Sequence, residues 1–529
     1  VTPCVIHEDE HLLVVNKPAG MNTHAPGPYA GEGIYEWLKN REPRYAELAI
    51  IHRLDKDTSG LMVFGKTRLA NRSLTEQFTE RKVRKEYRLV TDRPVKEGAI
   101  TAVSSLVRAG EKYLSRPLHA GGERAETRFR VLEHRNGRTV LMAEPLTGRT
   151  HQIRVHAAAE GFPILGDVLY GGTVGGRVCL HAEKLTIKHP ATEQEMSFSA
   201  AVDFEADTRL ALREALIDAN ETNAWRVVHG AADRHPGWYV ERLGDFLLSQ
   251  AEDELDEAWA EKLSELMKRC AARGAYHKVL TRRVRQTSAR EASPRPALGE
   301  AAPAAFKIRE NGINFELSFS EGYSVGLFLD QRDNRRRFLN NHIAPGFPLF
   351  KPEAHGMEVL NAFAYTCGFS VCAAMAGARA TSLDLSKKYL EWGRRNFALN
   401  GLDPAGHDFI YGDAFEWLRR LARKQRRFHA VILDPPTFSQ SKEHGTFQAE
   451  KDYGKLISAA LPVLERGGVL LASTNAARLD PERFAAMIEE SVKSARRKIV
   501  QRQYVPQPPD FPITREEPSY LKTIWLRID

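Results

Sequence analysis

Cysteine is scarce in this sequence: five residues in 529, at Cys4, Cys179, Cys270, Cys367 and Cys372. No two form a CxxC pair and no Cys/His spacing suits zinc, so a metal cage of that kind is not expected. A sparse, odd set also makes a poor disulfide framework, which points to a reducing cytoplasm. Long apolar runs are missing as well. None reaches the roughly 18 residues that span a bilayer, and the stretch from Val1 to Pro18 carries acids where a signal peptide has a basic and then an apolar stretch. A membrane partner is therefore not expected. The sequence has no GxGxxG fingerprint, which weakens a dinucleotide reading, and no tandem repeat of the solenoid kind. It also lacks a strong charge bias: Lys plus Arg number 76 against 68 for Asp plus Glu, a formal excess of 8.

The length itself is informative. Single cores stop growing near ~250 to 300 residues, so 529 residues imply two or three domains. Apolar content of 42% and charged content of 27% are ordinary for globular chains, so each domain can bury a core. The basic residues cluster: Arg81, Lys82, Arg84, Lys85 and Arg88; Arg282, Arg283, Arg285 and Arg290; Arg332, Arg335, Arg336 and Arg337; Arg419, Arg420, Arg423, Lys424, Arg426 and Arg427. Each run is either a solvated helix face or a phosphate-neutralising patch, and together they favour a polyanionic partner.

Residues 1–203 read as short β-like runs divided by Gly, Pro and Asn turns: HLLVVNKP, SGLMVFGK, KEYRLVTD, RTVLMAEPL, HQIRVHA and RVCLHAEKLTI. Such spacing predicts a mostly antiparallel α+β fold with few helices. Residues 204–305 pair short strands (AWRVVHG, GWYVERLGDFLLSQ) with a helical run near Asp256 to Arg273. They end in an Ala-, Pro- and Ser-rich stretch, Gln286 to Ala305, that reads as a linker. From Phe306 to Asp529 the rhythm becomes strand, turn, helix, repeated, which predicts an α/β Rossmann-like domain with ligands at the carboxyl ends of its strands.

Two sites stand out. HRLDKDTSG (His52 to Gly60) lies between the apolar runs ELAII and LMVFG, a loop held at both ends by strands. Its Asp55, flanked by Arg53 and Lys56, is favoured as a carboxylate, a nucleophile or base in waiting. The alternative is a salt-bridged turn. In the second half, strand MEVLNAF runs into AYTCGFS and a helix, a turn whose backbone N–H groups suit a carboxylate or phosphate. Strand-like runs then end in Asp384, Asp413 and Asp434: the first suits ribose hydroxyls, the second an adenine amino group, and the third opens a rigid DPPTF with Phe438 as a stacking ring. An acid after a strand is often a helix N-cap, but three in register call for more than capping.

KPAGMNTH, HRLDKDTSG, KEYRLV, LTGRTHQIRVH and GDVLYGG, in this order over about residues 5 to 200, resemble the RluA-type pseudouridine synthases. The resemblance implies isomerisation of a flipped uridine without cofactor or metal. Asp55 would act on the nucleoside, Tyr87 pack against the base and Arg154 pair with the aspartate, while Arg53, Lys56, Arg149 and His151 would meet RNA. These roles suit the physics: an extruded base needs a π-face, and a buried carboxylate needs a cation.

GLFLDQRDNRR, NAFAYTCGFS, DLSKKYLEWGRRNFALNG and DPPTFSQSK resemble class I methyltransferases of large-subunit ribosomal RNA, the RlmK/RlmI group, over about residues 205 to 529. The resemblance implies S-adenosyl-L-methionine as cofactor, held by Phe363, Tyr365, Gly368, Asp384, Asp413, Asp434 and Pro435, with Asp434 also catalytic and Phe438 on the RNA. Cys367 stands where relatives often carry Gly. A neighbouring branch methylates carbon 5 of cytosine through a cysteine thiolate; this chain has no cysteine after Cys372 and carries Asn475 where that residue is expected. A ring nitrogen, guanine N7, is the expected acceptor, since nitrogen transfer relies on proximity without a covalent nucleophile. The whole reads as a bifunctional RNA-modifying enzyme acting on ribosomal RNA. The alternatives are a methyltransferase whose first half only holds RNA, and a protein or small-molecule methyltransferase.

Overall fold

A computed structural model of the chain describes residues 2–96, 98–280, 292–322, 324–351, 356–441 and 445–529. It divides into two compact units: Val1–Pro26, Glu32–Leu38 and Glu47–Asp218 form the first, and Gly27–Gly31, Lys39–Ala46 and Ala219–Asp529 the second. Among the described residues no helix is long and apolar enough to cross a membrane.

The first unit is built on strands β1 (Val5–Glu8), β2 (Leu12–Lys17), β3 (Ala49–Ile50), β4 (Ser59–Gly65), β5 (Arg84–Thr91), β6 (Ala99–Ala109), β7 (Lys112–Arg116), β8 (Glu123–Arg135), β9 (Arg138–Pro145), β10 (Leu180–Lys188) and β11 (Glu195–Ser199). They make one sheet in the order β1-β2-β4-β10-β5-β9-β8-β6-β7, with β11 on β10 and β3 on β4. Pairing is antiparallel except between β10 and β4, where Ser59 meets His181 and Gly60 meets Ala182. That crossing explains the glycine closing HRLDKDTSG. Gly60 has φ +122°, and a side chain there would lie 2.4 Å from the Ala182 backbone.

One run departs from expectation. HQIRVHA forms no strand; Gln152–Ala159 is a helix in which Gln152 through Ala157 are all buried. A helix covered on every side loses the polar stripe that reveals a 3.6-residue period, so its sequence imitates a strand.

The second unit begins with β12 (Ala224–His229), β13 (Tyr239–Leu243), β14 (Phe246–Ala251), β15 (Gly274–Val279) and β16 (Arg295–Gly299), paired in that order, with helix Glu257–Arg269 crossing between the parallel β14 and β15. Arg295–Gly299 was expected as linker, yet its backbone pairs with β15 from Gly299 to Arg295. Ladder hydrogen bonds need no apolar side chains, and this edge strand carries Pro296, tolerated at an edge. After the hairpin β17 (Phe306–Glu310) and β18 (Ile313–Leu317), the chain builds β19 (Glu358–Ala362), β20 (Arg379–Asp384), β21 (Asp408–Tyr411), β22 (Phe428–Leu433), β23 (Phe438–Ser441), β24 (Gly445–Gln448), β25 (Leu464–Thr474), β26 (Ile499–Val505) and β27 (Lys522–Ile528). Seven of these form a sheet ordered β21-β20-β19-β22-β25-β27-β26, parallel from β21 to β25 and antiparallel around β27. One apolar cluster joins Phe246 and Tyr276 of the small sheet to Phe338 and Phe369 beside the large one and to Trp525 of its strand β27.

The basic runs also sort themselves. Arg332, Arg335 and Arg337 are buried; Arg332 pairs with Asp510, and Arg335 with Glu310 through bonds of 2.6 and 2.8 Å. This run is internal scaffolding, against both readings of it, a solvated helix face and a phosphate-neutralising patch. Arg419, Arg420, Arg423, Lys424 and Arg427 are exposed. Arg282, Arg283, Arg285 and Arg290 lie outside the described residues.

Candidate active sites

The loop bearing Asp55 is nailed down from beneath. Lys17, fully buried at the end of β2, donates to the carbonyls of Pro18 (3.1 Å), Met21 (2.8 Å) and Lys56 (3.3 Å). Thr23 donates to the Leu54 carbonyl at 2.8 Å and accepts its N–H at 3.1 Å. KPAGMNTH is thus the bracket that holds HRLDKDTSG. Burial pushes the Lys17 ammonium down to about 7, with Asp55 and Asp57 pulling it back up. His52 accepts the Val63 N–H at 3.1 Å and stacks on Phe78, and burial pushes it down to about 3, so it stays neutral.

Above this bracket opens a cleft of about 1220 Å³. Of the residues picked out by sequence, Arg53, Asp55, Lys56, Tyr87, Arg149 and His151 line it, together with Arg81, Arg84 and Lys85 of the first basic run. Arg154 stands behind the wall, 5% exposed, with Nη1 3.4 Å from Asp55 Oδ2. Its stronger bonds go elsewhere: Nε and Nη2 grip both oxygens of Asp167 at 2.7 and 2.8 Å. Asp167, 1% exposed, was missed by sequence although GDVLYGG was noted. The signal was available in principle, because a buried guanidinium has five N–H groups and one acid rarely satisfies them. Gly166 presents Asp167 at φ +84°, where a Cβ would lie 1.7 Å from the Arg177 carbonyl. Tyr87 is 8% exposed; burial and the negative Asp55 hold its phenol protonated well above the ordinary range, so it offers a ring face and an O–H rather than a base.

The second site gathers at the carboxyl ends of the parallel strands. After β19 the backbone turns left-handed at Phe363 (φ +67°), Tyr365 (φ +49°) and Cys367 (φ +64°), then enters helix Gly368–Met375. Three such non-glycine residues in five curl the backbone tightly. Cys367 fits because its neighbour is Gly393, where a Cβ would come within 2.3 Å of Sγ. Burial pushes the thiols of Cys367 and Cys372 up to about 12, so neither is a nucleophile. Asp384 accepts the Tyr365 N–H and the Ser386 N–H, each at 2.8 Å, which ties the curl to the end of β20. Asp413 caps helix Ala414–Arg423 by accepting the Glu416 N–H at 3.0 Å. Leu385, Tyr411 and Phe438 remain largely exposed along the same edge.

Asp434 follows β22, with Pro435 buried beside it. Its Oδ2 accepts from Gln331 at 3.0 Å, and Gln331 also donates to Ser473 at 2.8 Å and accepts from Asn334 at 2.6 Å. Burial, reinforced by the negative Asp330, pushes its carboxyl up to about 7. Asp330 and Gln331 were missed as individuals, although the segment GLFLDQRDNRR was noted. Thr437 bonds Asn475 at 2.5 Å, placing Asn475 against the DPPT turn.

Against families of known proteins, residues 246–527 match the S-adenosylmethionine-dependent methyltransferases, and residues 11–159 match the RNA pseudouridylate synthases. The chain belongs to the S-adenosylmethionine-dependent methyltransferase family and carries an RNA pseudouridylate synthase domain. A ribosomal RNA large subunit methyltransferase of Deinococcus radiodurans is 31% identical over 348 residues, covering 64% of this chain and 81% of that protein. A large subunit methyltransferase K/L of Psychrobacter arcticus is 40% identical over 176 residues, 32% of this chain but only 21% of that longer protein. A ribosomal large subunit pseudouridine synthase C of Yersinia pestis is 37% identical over 214 residues, 38% of this chain and 66% of that protein. The cleft around Asp55 therefore belongs to the synthase domain, and the strand-end site around Asp384 and Asp434 to the methyltransferase.

Proposed function

We propose that this chain modifies ribosomal RNA twice, isomerising one uridine to pseudouridine and methylating one base at a ring nitrogen. The observation that carries the first activity is the Asp55, Arg154 and Asp167 row. Arg154 is anchored by two short bonds to Asp167, so its remaining nitrogen faces Asp55 from a fixed position without neutralising it in a tight pair. Asp55 then meets an extruded uridine in an open cleft, Tyr87 supplies the ring that replaces a lost stacking neighbour, and Arg53, Lys56 and Arg149 meet the phosphates. Large-subunit ribosomal RNA is the substrate favoured by the names of the Deinococcus and Yersinia relatives.

In the methyltransferase domain the residues suit S-adenosyl-L-methionine. The curl from Phe363 through Tyr365 to Gly368 would take the methionine end and Asp384 the ribose. Asp413, Asp434 and Pro435 would stand near the adenine and the transferring methyl. When bound, the cofactor supplies the electrophilic methyl group. Asp384 is suited to its role because its two backbone bonds orient the carboxylate and leave further lone pairs for hydroxyls. Phe438, 45% exposed, offers a face for the acceptor base, and Asp434 accepts a hydrogen bond from it once ionised. The buried, protonated thiols of Cys367 and Cys372 argue against a covalent route to carbon 5 of cytosine, and guanine N7 is the acceptor we favour on the resemblance of DLSKKYLEWGRRNFALNG and DPPTFSQSK.

The test is a paired assay on one purified chain. Tritium release from RNA carrying 5-tritiated uridine reports isomerisation, and labelled S-adenosylmethionine reports methylation. Asp55→Asn should abolish the first and spare the second; isomerisation surviving in that variant would remove Asp55 from the chemistry. Loss of methylation only when the substrate is not ribosomal RNA would support the substrate class, and mass spectrometry of the product names the base.

A further inference from the structure

His151 lines the Asp55 cleft, and an unusual set of contacts holds it there. It is the residue before helix Gln152–Ala159, in the left-handed conformation (φ +56°, ψ 15°) that a side chain with a Cβ rarely adopts. Its ring is clamped edge-on between Tyr113 (centroids 5.7 Å) and Tyr170 (5.6 Å). Strain plus an aromatic clamp means the imidazole is held in one orientation. That orientation puts Nε2 3.8 Å from Asp55 Oδ2, the same oxygen that Arg154 faces at 3.4 Å.

The other ring nitrogen decides the tautomer. Nδ1 lies 2.8 Å from the Tyr170 hydroxyl. That hydroxyl oxygen already accepts the Tyr113 backbone N–H at 3.0 Å, and the Arg154 guanidinium lies 5.1 Å above the Tyr170 ring. With its oxygen already accepting the Tyr113 N–H, the phenol is left with its hydrogen to give, and Nδ1 is the acceptor within reach. A neutral imidazole then carries its own hydrogen on Nε2, facing the carboxylate.

We propose that His151 is a positioning residue for Asp55: with its tautomer set by Tyr170, its Nε2–H points at Oδ2 from 3.8 Å, longer than a hydrogen bond, and closes on that oxygen beside Arg154 when the uridine binds, leaving Oδ1 for the uridine. Asp55 is thus approached at one oxygen from two directions, by a permanent cation at 3.4 Å and by a neutral donor at 3.8 Å. The groups facing His151 are Asp55 and Asp57 of the motif loop, Arg154 of its own helix, Asp167 and Tyr170 of the segment that follows, and Tyr113 of β7. Burial lowers its proton affinity below the ordinary histidine range, which keeps the ring neutral at neutral pH. A second proton would place another cation on Oδ2 and blunt the carboxylate.

The experiment uses the full chain, with single-turnover tritium release and filter-binding affinity for the same RNA measured from about pH 5 to about pH 8. In His151→Gln the side-chain amide nitrogen can reach the Nε2 position, whereas in His151→Asn the shorter amide reaches only that of Nδ1. The expected results are a His151→Gln chain within about threefold of the parent rate and a His151→Asn chain slower by about 100-fold, since a misplaced reacting group costs that order. Both should bind RNA as the parent does. The parent rate should fall on the acid side while the His151→Gln rate stays level, and Tyr170→Phe should slow isomerisation with RNA affinity kept. Equal rates for His151→Gln and His151→Asn, or weakened RNA binding at an unchanged rate, would overturn the proposal and return His151 to a simple RNA contact.

Discussion

Replacing Asp167 by asparagine should damage the synthase domain out of proportion to the atoms changed. Arg154 is 5% exposed and Asp167 1%, and two bonds of 2.7 and 2.8 Å join them. An asparagine carbonyl can accept one of those N–H groups, but its own NH₂ then faces the other donor. The guanidinium is left buried beside a single partial acceptor, and breaking a buried pair from one side costs about 3–5 kcal/mol. At ~2–4 °C per kcal/mol for a domain of this size, the synthase unfolding transition should fall by roughly 6–20 °C. The released guanidinium also closes on Asp55, now 3.4 Å away, and ties up the reacting carboxylate. Isomerisation measured well below the transition should therefore drop by about 100-fold. Scanning calorimetry and tritium release on the same preparation check both, with methyl incorporation as the control. An unfolding temperature and isomerisation rate that match the parent would refute the view that Asp167 anchors Arg154.

The methyltransferase makes a pH prediction. The Asp434 carboxyl is pushed from its ordinary 3.8 up to about 7, so its contribution to stability is complete below the ordinary value and is lost as pH rises through about 7. Comparing urea unfolding of the parent with Asp434→Asn across that window should show the parent's advantage shrinking. Over the same window single-turnover methyl transfer should climb as the carboxylate forms, and the asparagine chain should give a low, level profile; a parent rate level from acid to neutral pH would contradict it. A third prediction concerns the thiols. Cys4, Cys179, Cys367 and Cys372 are buried and Cys270 is half-buried, so iodoacetamide at neutral pH should label Cys270 alone and leave methyl transfer intact, as peptide mapping and the methylation assay would report.

Much of this protein is local, and local features are legible in a sequence. RTVLMAEPL is a strand whose buried residues alternate as a half-buried sheet requires, and HLLVVNKP is one whose continuous apolar run is buried on both faces. Strands and helices alternate from β19 to β26 apart from the β23–β24 hairpin, with Asp384 closing β20 and Asp413 and Asp434 just past β21 and β22. Asp55, Tyr87, Arg53, Lys56, Arg149 and His151 were chosen from three separated segments, and one cleft holds them all. What misled was burial. The helix carrying Arg154 is covered all round and so lacks a helical signature, and the run from Arg332 to Arg337 looked like a surface although its arginines answer Asp510 and Glu310, far away in the chain.

The sequence by itself determined the two chemistries, because each depends on residue types inside short motifs, and the order of those motifs along the chain. Only the tertiary structure decided how those groups are tuned. Asp167 reaches Arg154, Gln331 reaches Asp434 and Tyr170 reaches His151 across gaps that no periodicity records. Orientation, tautomer and proton affinity follow from such contacts and from the loss of water around them, and both exist only once the chain has folded.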